Sequence, residues 1–81
     1  MDGYTGLVLF GAPWCAPCKV AKVALQGVDY RYVDVDANPE AGVRCGIVGV
    51  PALLAIKDGQ VVARAVVAFK AAAAELLRLV A

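Results

Sequence analysis

The chain has 81 residues, with eight basic and seven acidic side chains and a formal charge of +1. That length predicts a single domain over residues 1–81, and charges interspersed without a basic stripe argue against nucleic-acid binding. There is no His and no Ser, which excludes a Ser-His-Asp triad, a Cys-His protease pair and a His-containing zinc site.

Chemistry must therefore come from thiols, carboxylates, lysines or the backbone. Leu7-Val8-Leu9-Phe10 is a short apolar run closed by Gly11, the pattern of a strand buried on both faces. It is too short for the hydrophobic region of a signal peptide, and Asp2 stands where a basic leader would begin. No segment approaches the ~20 apolar residues of a membrane span. A cytoplasmic protein with no membrane contact is expected. Pro13 punctuates the turn that follows. Pro17 is tolerated in a helix only within its first turn, so a helix is predicted to start near Cys15 and run to Gln26. Gly27 is its C′ stop, and Val20, Val23 and Ala24 line one face.

Tyr30 to Val35 alternates and is rich in β-formers, so it reads as a second strand. Asn38 at the N-cap and Pro39 at N1 open a short helix to about Cys45, and Gly46 to Gly49 forms a loop. Ala52 to Ile56 is a buried strand. Asp58-Gly59 signals a type I′ hairpin turn, with Val61 to Val67 as the returning strand. Phe69, Ala72, Ala73, Leu76, Leu77 and Val80 then mark an amphipathic helix, with Phe69, Leu76 and Leu77 in the core and Lys70, Glu75 and Arg78 outside. The order β-α-β-α-β-β-α predicts an α/β fold: one mixed four-stranded sheet flanked by helices. The first β-α-β is a right-handed parallel crossover and the final hairpin is antiparallel.

Three cysteines, an odd number, do not make a fully paired framework. Cys15 and Cys18 form a C-x-x-C. In a first helical turn this spacing brings the two sulfurs within bonding reach. Cys15 lies at the helix tip, where unpaired N–H groups and the macrodipole favour a thiolate. Cys18, one turn in, is more shielded. Cys15 is therefore the candidate nucleophile and Cys18 the resolving thiol of an exchange that passes through a mixed disulfide. Half a zinc site is the competing use of a C-x-x-C, but a structural site needs four ligands and only Cys45 remains. No metal is expected. A third cysteine such as Cys45 is more often a small buried hydrophobe than a regulatory thiol.

Trp14-Cys15-Ala16-Pro17-Cys18-Lys19 resembles the W-C-G-P-C-K active site of thioredoxins, with Ala16 for Gly. Asn38-Pro39, Gly46-Ile47-Val48-Gly49-Val50-Pro51 and Lys57-Asp58-Gly59 extend the likeness in the family's order, from about Leu7 to the C-terminus. The resemblance implies a minimal thioredoxin fold, with Ala16 and Pro17 as the active-site loop and Trp14 as an exposed platform. It also implies a cis Val50–Pro51 bond beside the dithiol, with Val50 and Pro51 presented to substrate. The physics of X-Pro bonds alone favours trans, since cis makes up only about 5–6% of them. This chain departs from the family at several positions. Leu9 and Tyr32 stand where thioredoxins carry a buried Asp and its Lys partner. Val67 stands for a groove Gly, and Ala52 for the Thr after the cis-proline. Asp34 and Asp36 read as the solvated end of a strand.

The function that follows is reduction of protein disulfides through a Cys15/Cys18 dithiol, in a monomer with no bound cofactor beyond that redox-active disulfide. Disulfide-containing proteins are the substrates, and a thioredoxin-reductase-type flavoenzyme is the electron donor. A glutathione-linked, glutaredoxin-like reductase is the alternative. It is disfavoured because the site is not Cys-Pro-Tyr-Cys and Val62 to Val67 holds no Gly. A non-catalytic binding module that uses the Pro51 groove is the third reading.

Overall fold

The computed structural model describes residues 3–66 and 69–80. Its elements run β1 (Gly6–Gly11), α1 (Ala16–Ala24), β2 (Tyr30–Asp34), α2 (Pro39–Arg44), β3 (Ala52–Lys57), β4 (Gln60–Ala65) and α3 (Phe69–Val80). One four-stranded sheet has the order β2-β1-β3-β4. β1 pairs with β2 in parallel, and β1–β3 and β3–β4 are antiparallel. The predicted order and sheet are those observed.

β1 and β3 read as unbroken apolar runs because both their faces are covered. Side chains alternate across a strand. Leu7 and Leu9 therefore join Leu53 and Ala55 under α1 and α3. Val8 and Phe10 join Leu54 and Ile56 on the opposite face, with Cys45 and Ala41 beside α2. The hairpin turn has positive φ at Asp58 (52°) and Gly59 (80°), as a type I′ turn requires. Its tip is latched to the N-terminal segment. The Asp58 N–H donates to Thr5 Oγ1 at 3.0 Å, and the Gly59 N–H donates to the Tyr4 carbonyl at 2.9 Å.

Several local expectations are corrected. α1 ends at Ala24 with Leu25 as its C-cap, so Gly27 (φ 83°) follows one position beyond C′. Its buried stripe is Cys18, Ala21 and Leu25, whereas Val20 and Val23 are exposed. With Cys18 turned inward, Val20 is carried outward, at about 100° per residue. In α3, Phe69, Ala73 and Leu76 are buried but Leu77 is exposed, because a single sheet face admits only a narrow stripe. Asn38 stands at the N-cap of α2 without making a side-chain cap. Its amide nitrogen donates to the Asp34 carbonyl instead, at 3.3 Å. β4 ends at Ala65, and Val67 lies outside the described residues.

Candidate active site at the start of α1

The site is built where β1 stops. After Gly11 the chain turns through Ala12, Pro13 and Trp14, and the Cys15 N–H donates to the Ala12 carbonyl at 3.2 Å. Cys15 is the N-cap of α1, with Pro17 in the first turn, where its missing N–H costs nothing. The N–H of the helix's third residue, Cys18, donates to Cys15 Sγ at 3.2 Å. A sulfur so placed takes up one of the donors that a helix start leaves unpaired. In the reduced protein the same N–H and the helix dipole favour negative charge on that atom.

Cys15 and Cys18 are disulfide-bonded, with Cα atoms 5.3 Å apart. Cys18 is 1% exposed and Cys15 4%. The order of shielding is the expected one, but the margin is small. Both residues pack with Ala12, against half-buried Val35 and Val50, so the dithiol is covered from the side of the loop before β3. The exposed residues are its neighbours Trp14, Ala16 and Pro17. The Val50–Pro51 bond is cis, in accord with the resemblance. Pro51 shares an apolar groove with Ala16 and Pro17.

Trp14 is 69% exposed yet held in place, since its indole N–H donates to Asp36 Oδ2 at 2.7 Å. Asp36 is delivered by a local turn. Asp34 Oδ1 accepts from the backbone N–H groups of Asp36 (2.8 Å) and Ala37 (3.3 Å), an Asx turn at the end of β2. The reading of both aspartates as a solvated strand end missed this. The Asp34-x-Asp36 spacing ahead of Asn38-Pro39 signals the turn, but the indole 22 residues away is brought in only by the fold.

Leu9 and Tyr32 are Cα partners across β1 and β2. Leu9 is fully buried, and among the described residues no buried side chain is polar or charged. The Tyr32 hydroxyl lies over Gly11, where a Cβ would come within 2.8 Å of it. Lys22 Nζ sits 3.7 Å from the Tyr32 ring centroid, so a cation and an aromatic ring roof this end of the sheet. Partial burial raises the pKa of the Tyr32 phenol, and the nearby Asp34 and Tyr30 add to the effect. Cys45 is buried and unpaired in the cluster beneath α2, the place expected for a small hydrophobe. Among the described residues no group of three or more His, Cys, Asp or Glu could hold a metal ion.

A disulfide at the N-terminus of the helix that follows a central strand, on a β-α-β-α-β-β-α frame with a cis-proline alongside, marks the thioredoxin-fold class of thiol–disulfide proteins. The chain belongs to the thioredoxin family, whose model matches residues 3–80. It is 40% identical over 67 residues to a thioredoxin of Bacillus subtilis, covering 70% of this chain and 64% of that protein. Against a thioredoxin of Chlamydia muridarum it is 38% identical over 71 residues, covering 76% and 70%. The solved structure of Fasciola hepatica thioredoxin superposes with a TM-score of 0.81 at 29% identity, covering 99% of this chain and 84% of that one. A thioredoxin variant from Halobacterium salinarum gives 0.82 at 26%, covering 98% and 75%. The chain spans about three-fifths of the length of the first curated relatives it matches.

Proposed function

We propose that this chain reduces disulfides in proteins, with Cys15 as nucleophile and Cys18 as resolving thiol. The observation that carries the reading is the placement of Cys15 Sγ: bonded to Cys18 and accepting the Cys18 N–H at the helix start. Starting from the dithiol, the Cys15 thiolate attacks one sulfur of the substrate disulfide. A mixed disulfide forms, and the other substrate sulfur leaves as a thiolate that takes up a proton. The Cys18 thiolate then attacks Cys15 Sγ, closing the Cys15–Cys18 bond and expelling the second substrate thiolate. Two electrons pass from the dithiol to the substrate. A thioredoxin-reductase-type flavoenzyme returns them, and the cytoplasm, a reducing compartment, is where such a cycle turns over. Trp14, Val50 and Pro51 are the substrate-contacting residues of this reading. Exposure of the indole, packing of Val50 against the cysteines and the groove beside Pro51 support that assignment. Among the described residues no helix is long and apolar enough to cross a membrane.

The test is turnover with insulin as substrate. Cys15→Ser is expected to abolish reduction, and Cys18→Ser to accumulate a mixed disulfide visible by mass. Normal turnover by Cys15→Ser would sink the mechanism. Equilibration in redox buffers is expected to give a potential near about −270 mV, the value thioredoxin itself has. A value near about −120 mV would make the protein an oxidant instead.

A further inference from the structure

Between α2 and β3, the segment that brings Val50 against the cysteines has few supports of its own. The Gly46 N–H donates to the Val43 carbonyl at 3.1 Å and the Ile47 N–H to the Gly42 carbonyl at 2.8 Å, so the segment is tied to α2 as far as Ile47. Beyond that point, among the described residues, no backbone hydrogen bond reaches Val48, Gly49 or Val50. Val48 is fully exposed, and a Cβ on Gly49 would meet no atom within 4 Å. The position of Val50 is therefore set from the two ends of the segment: Ala52 in β3 on one side, the corner at residues 45–47 on the other. That corner is gripped from the edge of the sheet. Arg64 stands on the edge strand β4, opposite Leu54 of β3. Its guanidinium donates to the carbonyls of Cys45 and Gly46, both at 3.3 Å. Among the described residues the one ion pair is Arg78 with Glu75, so no carboxylate competes for the fork. A planar fork reaches two carbonyls at once, whereas a lysine ammonium is a point charge on a flexible stem.

We propose that Arg64 is a positioning residue for the protein substrate. By gripping the Cys45 and Gly46 carbonyls from the hairpin, it holds Val50 where a peptide chain can meet it, and it does so without touching the reacting sulfurs. The proposal rests on the reductase reading and on Val50 as a substrate-contacting residue. A cation at the end of α2 also serves as a plain helix cap, but the place of these two carbonyls argues for more. They open the segment that leads to Val50, and Val50 packs against Cys15 and Cys18. Loss of the clasp lowers the fraction of time that Val50 spends in its binding position, and apparent affinity falls by that fraction. A small disulfide needs only the Cys15 thiolate. A protein disulfide needs the thiolate and the loop, so Arg64 matters for the second and not for the first.

The experiment uses the dithiothreitol-reduced full chain and two substrates, insulin and the neutral bis(2-hydroxyethyl) disulfide. Single-turnover rates are followed against substrate concentration by the fluorescence of Trp14, the chain's one tryptophan. Arg64→Met and Arg64→Gln are each expected to raise the half-saturating insulin concentration roughly 5-fold, as when the loop is in place about a fifth of the time. The limiting rate with insulin and the rate with the small disulfide are expected to stay those of the unsubstituted protein. Arg64→Lys is expected to recover part of the insulin affinity. Two neutral replacements of different shape let the comparison stand on whichever one folds. An unchanged half-saturating insulin concentration would overturn the positioning role, and so would an equal slowing of both substrates. Failure of the unsubstituted protein to reduce either disulfide would instead overturn the reductase reading beneath it.

Discussion

Tyr32 shows how one residue can be altered by its fold. Its phenol is partly buried beside Asp34, so its pKa is raised above the ordinary 10.0. The charged form is disfavoured in the native state, and the native state binds the proton more tightly than the unfolded chain. The associated stability is therefore fully present below about pH 10 and is lost as pH rises through the folded pKa. Urea unfolding from pH 8 to 11 is expected to show a falling free energy above pH 10, with a shallower fall in Tyr32→Phe. An identical slope in both proteins would show that the phenol titrates as it does in the unfolded chain. Trp14 makes a second case. Asp36→Ala removes the indole's acceptor but leaves the ring exposed, so water can replace the bond. The expected cost is small, about 0.5–1 kcal/mol, and the sensitive readout is the Trp14 emission maximum, which should shift.

At the scale of elements, the loop ahead of β3 is fastened from the hairpin. Arg64 on β4 donates from Nη1 to the Gly46 carbonyl and from Nη2 to the Cys45 carbonyl, both at 3.3 Å. Those carbonyls lie at the C-terminal end of α2, where a cation is favoured. The clasp holds the start of the segment that carries Val50 over the cysteines. Arg64→Met keeps the stem and removes the donors, so about 1 kcal/mol of stability should be lost. Amide exchange should quicken from Gly46 to Val50 and leave β1 unaffected. Exchange that is uniform between the two proteins would show that the loop is held by packing alone. Much at this scale was legible in the chain: the apolar runs of β1 and β3, the Asp58-Gly59 turn and the proline-marked start of α1. The face that α1 buries was not. Val20, Val23 and Ala24 have the right spacing for an inner face, but spacing does not tell which side of a short helix meets the sheet.

For the molecule as a whole, the two central strands have neighbours on both edges and clusters on both faces. The slowest-exchanging amides are expected in β1 and β3, at free energies approaching that of global unfolding, with β2 and β4 exchanging faster. Slowest exchange in α3 would overturn that ordering. Leu53, fully buried in the cluster under α1 and α3, should cost about 2–5 kcal/mol when cut to Ala, measured by urea unfolding.

The disulfide at a helix start was readable from five consecutive residues, because a helix start, a C-x-x-C and a first-turn proline are all local features. The element order was readable for the same reason, since periodicity and turn residues act over short spans. The partner of Trp14, the near-equal burial of both cysteines and the groove that joins Val20 to Phe69 and Lys70 could not be read that way. Each depends on residues from separate elements meeting in space. Those meetings follow from how α1 and α3 settle on one shared sheet face, where Cys18, Ala21 and Leu25 are buried and Val20 and Val23 are left exposed.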